Sequence, residues 1–132
     1  LSQREQNLLR AHTSIGKEIL EGTETILSTA SIVAYQHHEH LDGSGYWGLR
    51  GPEIHPHAKL VAVADVFDTL TFRKAQWKAA DVQCSLEQCA GLQLDAELVH
   101  LLLSNFRRML DTGQSVNAHS KQNTHSKQNT HL

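Results

Sequence analysis

Apolar residues recur at helical spacing through most of the chain and nowhere alternate for more than a few positions. Leu8, His12, Ile15 and Ile19 follow at steps of four, three and four, which puts them on one helical face. Ser2 stands three residues before Glu5, the arrangement of a capping box, so the first helix opens there. Gly16 interrupts the run and either admits another helix closely or marks a bend near Thr13-Ser14. After Glu21-Gly22-Thr23 a second helix is predicted. Ile26, Ala30, Val33 and His37 share one of its faces, and Leu27, Ala34 and His38 share the next. Both histidines therefore continue apolar stripes toward the helix C-terminus.

The next stretch is a loop. Gly43, Gly45 and Gly48 and an Asp-Gly step fall within residues 41–50. Pro56 suits the first turn of a third helix, predicted to run to Leu70. Ala58, Val61, Ala62 and Asp65 lie on one side of it, and Leu60, Ala64, Phe67 and Thr71 on another. A helix apolar on several sides is expected to be buried, which makes Asp65 a buried carboxylate in need of a partner.

Residues 72–80 are polar and basic around Trp77. A short helix over about Asp81 to Ala90 ends at Gly91, a good residue just past a C-terminus. Asp95 is the expected N-cap of a last helix, Ala96 to Leu110, with Leu98, Leu101, Leu102 and Phe106 as its stripe. The pattern predicts an all-α domain over residues 1–112. In the tail, 113–132, the hexamer HSKQNT stands at 119–124 and again at 125–130. It has no apolar residue to bury and is expected to be disordered. Its histidines read as a solvated tail or as weak metal capture.

Composition narrows the function classes. At 132 residues and a formal charge of −2, the chain fits one domain with neither a basic stripe nor a strongly acidic surface. Aromatics make up 5% of it, too few for a single-strand stacking platform, which argues against polymeric nucleic acid. Cys84 and Cys89 lie about 140° apart on one helix and cannot easily pair. They read as reduced packing residues of a cytoplasmic protein. No apolar run is long enough to span a bilayer, and no signal peptide is visible.

The chemistry concentrates in QHHEHLDGSGYWGL, residues 36–49. Two adjacent histidines close an apolar helix beside a glycine loop, and Asp65 follows in another apolar helix. Together with His12 they are candidate metal ligands, since imidazole and carboxylate suit iron, manganese or zinc, and helical proteins build such sites where ligands from different helices converge. Adjacent helical histidines point about 100° apart, so His37 and His38 are expected to serve two neighbouring ions rather than one. Each residue also has a plain structural reading. His12 fits as a hydrogen-bonded core histidine, and His37 and His38 as caps on carbonyls at the helix end. Asp65 could pair with Arg73, Lys59 or His38, and Asp42 could start the Asp-Gly turn.

These residues also carry a resemblance. HHEHLDGSGYWGL resembles the HD-GYP signature HHE-x-x-DGSGYP-x-GL. EIHPHAKLVAVADVFDTLT is similar to that family's VADVFDALT stretch and the residues before it. LSQREQNLLRAHTSIGKEIL resembles its H-x-x-x-G-x-x-I-L helix, and GLQLDAELV its G-x-x-FDP-x-LV segment. The likeness runs from Leu1 to about Leu103. It implies a helical bundle of the HD-domain phosphohydrolase type and a metal-dependent phosphodiesterase in bacterial second-messenger signalling. The substrate it implies is cyclic di-GMP, cleaved through pGpG toward GMP, with two or three iron or manganese ions in a complete domain.

Matched position by position, the resemblance makes His12, His37, His38 and Asp65 the metal ligands, with His38 and Asp65 catalytic. Gly45 and Tyr46 match the substrate loop. Arg73, Lys74 and Lys78 fall where the family places basic residues toward phosphate and guanine. A signalling-protein partner through the same loop is a further expectation. Trp47 stands in place of the family's proline, RKAQWK in place of its R-P-Y-K run, and Lys59 in place of its arginine. The family's His-Asp dyad belongs upstream of His12. The chain is thus expected to be an N-terminally truncated part of the domain, weakly active or inactive alone. The alternative is a catalytically inactive module of the same type that binds nucleotide or a protein partner.

Overall fold

A computed structural model of the chain describes residues 2–21, 25–71, 78–106 and 108. The described residues form α1 (Gln3–Leu20), α2 (Thr25–Gln36), a 3-10 turn (Gly51–Glu53), α3 (Pro56–Thr71), α4 (Ala79–Cys89) and α5 (residues 96–106). Among them the only extended pairing is an isolated bridge between Ala90 and Leu94. The all-α expectation holds. The chain divides into two units, Leu1–Val99 and His100–Leu132, and α5 begins in the first. The expected tail, with its repeat, lies outside the described residues, as do Trp77 and the stretch from 109 to 113 where the last helix was expected to end.

Local signals set the helix ends. At the start of α1 the Ser2 backbone N–H donates to the Glu5 carboxylate at 2.7 Å and the Glu5 N–H donates to Ser2 Oγ at 3.3 Å. Asp95 Oδ1 accepts from the Glu97 and Leu98 N–H groups at 3.1 and 3.3 Å and so caps α5. Gly91 follows α4 with φ +78°, a conformation that costs other residues about 1–2 kcal/mol.

Helix α1 packs on α2, α2 on α3 and α3 on α4. The α1–α2 contact runs through small residues. Thr13 is fully buried, and a Cβ built on Gly16 would come within 3.3 Å of the Ala34 Cβ. Gly16 is therefore a close-approach residue, and α1 continues through it without the alternative bend. This contact turns the predicted apolar stripe outward: Leu8, Ile15 and Ile19 are 67, 53 and 76% exposed, and His12 is exposed with them. Bulky side chains on that face cannot take part in so close an approach, so the neighbouring face is buried instead.

The core of the first unit draws on Ile54, on Ala58, Ala62, Val63 and Phe67 of α3, on Val82 and Leu86 of α4, and on Leu94 and Val99. Burying a side chain such as Val82 or Leu86 contributes about 1.5–3 kcal/mol. Helix α3 buries one broad face rather than several, since Leu60 and Val61 remain exposed. Asp65 lies off that face and is half-buried, which corrects its expected full burial. Cys84 is exposed and Cys89 half-buried, both as free thiols, so Cys84 is not the packing residue expected.

The glycine loop after α2 is tied to the turn after α4. The Leu41 and Asp42 N–H groups donate to the Gln93 and Leu92 carbonyls at 3.1 and 3.0 Å. Asp42 also accepts from the Ser44 N–H at 2.9 Å, an Asx turn, and Gly43 takes up the left-handed φ of +83° that follows. The Ser44 hydrogen bonds hold the Asp42 carboxyl below its usual range.

Candidate metal centre

His12 leaves α1, while His37 and His38 sit in the turn just beyond α2. One ring nitrogen from each lies within 4.8 Å of the others. His37 Nδ1 is 2.9 Å from the Ala34 carbonyl and 3.2 Å from that of Val33, and His12 Nδ1 contacts the Leu9 carbonyl. A carbonyl can only accept, so in the neutral rings Nδ1 carries the proton and Nε2 a free lone pair. The two Nε2 atoms are 3.5 Å apart. Neither can donate to the other, and two facing lone pairs repel unless something positive lies between them. A divalent ion bound by two imidazole nitrogens at 2.0–2.1 Å in tetrahedral geometry separates them by about 3.4 Å. The donor set therefore fits a metal, with each ring oriented by a backbone carbonyl behind it.

His38 adds the third imidazole. Its ring centroid is 4.1 Å from that of His37 and 5.1 Å from that of His12. The expected divergence of the adjacent histidines is not realised, because regular helix ends at Gln36 and the turn brings both rings together. Burial pushes the His38 pKa down to about 4, helped by His37 and opposed by Asp65. Its ring is therefore neutral near pH 7, as a metal ligand must be. Its Nδ1 is 4.0 Å from Asp65 Oδ2, so Asp65 borders the imidazole cluster rather than joining it.

Tyr46 covers the cluster. Its ring is 4.8 Å from that of His38 and 6.2 Å from that of His12. Arg10 braces it from α1, with the guanidinium carbon 5.5 Å from the ring centre and Nη1 donating to the Tyr46 carbonyl at 3.4 Å. Gly45 lies against the backbone that carries the histidines. A Cβ there would stand 2.5 Å from the Glu39 Cα, 2.7 Å from the His40 nitrogen and 2.8 Å from the His38 carbonyl oxygen. All three are main-chain atoms, so only glycine lets the loop fold back this far.

Two residues that sequence reasoning passed over hold this loop in place. Glu39 is 2% exposed, and its two carboxylate oxygens each accept a backbone N–H at 2.7 Å, from Trp47 and from Leu49. Its place beside the histidine pair was visible in the sequence, but its partners eight and ten residues on were not. Arg10 gave no signal, since its target lies 36 residues away. Of the basic candidates, Arg73 and Lys74 lie outside the described residues, and Lys78 is exposed at the start of α4.

Three imidazoles brought together beside a carboxylate, under a folded-back glycine loop, define a helical module with a candidate metal centre. Residues 1–98 match the family described as HD domain. The chain is 44% identical over 72 residues to the "Cyclic di-GMP phosphodiesterase response regulator RpfG" of Xanthomonas campestris pv. campestris, covering 53% of this chain and 19% of that protein. It is 41% identical over 116 residues to a "Cyclic di-GMP phosphodiesterase" of Thermotoga maritima, covering 84% of this chain and 32% of the relative. It is also 32% identical over 111 residues to the "3'3'-cGAMP-specific phosphodiesterase 2" of Vibrio cholerae, covering 80% of this chain and 21% of the relative. The chain belongs to the HD domain family, as a domain of the HD-GYP type. It spans between 19 and 32% of the length of these curated relatives. HD-domain phosphohydrolases are metal-dependent, in keeping with the donor set. Among the described residues no helix is long and apolar enough to cross a membrane.

Proposed function

We propose that this chain forms the metal-binding and substrate-loop part of a phosphodiesterase that hydrolyses cyclic di-GMP, through pGpG toward GMP, in the bacterial cytoplasm. The observation that carries the reading is the pair of Nε2 lone pairs facing each other at 3.5 Å, with His38 closing the cluster. His12, His37, His38 and Asp65 hold divalent ions, iron or manganese, two or three in the complete domain. Those ions, when bound, supply positive charge to the phosphodiester and lower the pKa of water near it.

The chain's own residues orient the reactants. His38 stays neutral as a donor of electron pairs, and Asp65, 4.0 Å from it, supplies a negative oxygen on the same side. Tyr46, braced by Arg10, positions the nucleotide over the cluster, and Gly45 permits that loop path. Arg73, Lys74 and Lys78 serve the phosphates and guanine. The unit is residues 1–112, followed by a polar tail from 113, and the glycine loop also offers a surface to a signalling-protein partner.

The test begins with metal per chain, measured by elemental analysis on protein purified without oxygen. At least one ion per chain is expected, lost in the His37→Ala, His38→Ala double variant and retained when the chain is cut after Gly113. Loaded protein is then assayed for conversion of cyclic di-GMP to pGpG, alone and joined to the upstream part of the domain. Metal that is absent, or that follows the tail, refutes the site. Nucleotide binding without hydrolysis in the joined protein refutes the enzyme in favour of a binding module.

A further inference from the structure

We propose that Trp47 is a stacking platform for a purine base of the nucleotide, and so a specificity-determining residue of the loop; this rests on the cyclic dinucleotide reading above. Among the described residues Trp47 is the one large aromatic among the exposed hydrophobic side chains, at 40%. Although exposed, it is held by several contacts. Its indole stacks on Tyr35 with centroids 5.1 Å apart and planes 13° from parallel. Its Nε1–H donates to Thr13 Oγ1 at 3.1 Å, and Thr13 in turn donates to the Arg10 carbonyl at 2.8 Å. Its backbone N–H is held by the buried Glu39 carboxylate at 2.7 Å. Tyr35 occupies one side of the indole and the Nε1–H bond fixes its orientation, while the residue as a whole keeps 40% of its surface exposed.

The platform stands next to the candidate centre. Thr13, which holds the indole N–H, directly follows His12. Tyr46, which precedes Trp47, lies 4.8 Å from the His38 ring. A phosphodiester seated at the histidine cluster would leave its attached bases to be received nearby. Purines present the widest π-face of the nucleobases and gain most from a preorganised indole. Lys17, with its ammonium 5.2 Å from the centre of the Tyr35 ring, adds positive charge beside the stack. The resembled motif has proline at this position, which stiffens a loop but offers no aromatic face. The loop here takes its rigidity from the Glu39 carboxylate and from the Trp47 contacts with Thr13 and Tyr35 instead, and the indole that makes those contacts keeps exposed surface for a ligand.

The test measures binding by calorimetry of the full chain in manganese buffer, with cyclic di-GMP and, separately, inorganic phosphate as probes. Trp47→Ala is expected to weaken cyclic di-GMP roughly five- to hundredfold, the range for loss of one base–aromatic stack, and to leave phosphate unchanged. Trp47→Phe, which keeps a ring and loses the N–H, is expected to stay much closer to the parent. In a Trp77→Phe background, saturating cyclic di-GMP is expected to quench the emission of Trp47, a readout independent of whether the alanine variant folds. Equal affinities in all variants with unchanged emission overturn the platform and leave the nucleotide reading standing. A parent chain that binds phosphate but not cyclic di-GMP overturns both. A loss of phosphate binding equal to the loss of nucleotide binding assigns Trp47 to loop structure and overturns the proposal.

Discussion

Replacing Glu39 by glutamine tests whether one buried carboxylate holds the loop over the histidines. Its oxygens accept the Trp47 and Leu49 N–H groups at 2.7 Å each, at a residue 2% exposed. Hydrogen bonds to a charged group contribute about 1.5–3 kcal/mol each. Glutamine keeps the shape but offers a single acceptor. Its oxygen retains one bond in weaker, neutral form, while its NH2 group is turned toward the second backbone N–H, donor against donor. An unsatisfied buried donor costs about 1–3 kcal/mol. One weakened and one lost bond together give an expected loss of about 2–4 kcal/mol, a large share of a typical domain's 5–15 kcal/mol. Urea unfolding of the metal-free chain, followed by tryptophan emission, reads the change as a lower midpoint at unchanged slope. Asp42→Asn, at an exposed carboxylate in the same loop, serves as the control and is expected to move the midpoint far less. A Glu39→Gln midpoint equal to the control's would show that the carboxylate does not hold the loop, and the argument from its burial and bond lengths would fail.

Gly45→Ala drives a Cβ to 2.5 Å from main-chain atoms and is expected to cost at least the 1–3 kcal/mol typical of overpacking, with loss of metal affinity. Gly91→Ala meets nothing within 4 Å and pays only for its φ of +78°, about 1–2 kcal/mol, with metal affinity intact; equal effects of the two on metal binding would refute the loop argument. His38 titrates near 6.5 when unfolded and near 4 when folded. Below pH 6.5 the unfolded chain thus binds more protons, so its contribution to metal-free stability falls between pH 6.5 and about 4 and levels off below. His38→Ala is expected to remove that segment from a curve of stability against pH, and an unaltered curve would contradict the burial of its ring. Manganese at a hundred times its dissociation constant is expected to stabilise the parent chain by about 2.7 kcal/mol in thermal or urea unfolding, and the His37→Ala, His38→Ala double variant by nothing comparable.

The sequence by itself determined what is settled within a few residues. Ser2 with Glu5, Asp95 with the N–H groups after it, Gly91 and the Asp42-Gly43 turn all act through bonds between near neighbours, and each appears where the local pattern puts it. The histidines and Asp65 were legible as chemistry because such residues are costly inside apolar stripes without a purpose. Tertiary structure decided which faces meet and which ligands converge. Periodicity marks a helix but not its partner, and the small Thr13 and Gly16 drew α2 closer than Leu8, Ile15 and Ile19 could have allowed. It also placed Asp65 beside His38 rather than in the core, and brought His37 and His38 together through a turn that ideal helical angles do not describe. Glu39 and Arg10 acquired their roles only when the loop folded back on them. A hydrogen bond spanning ten or thirty-six positions leaves no trace in the spacing of the residues that make it.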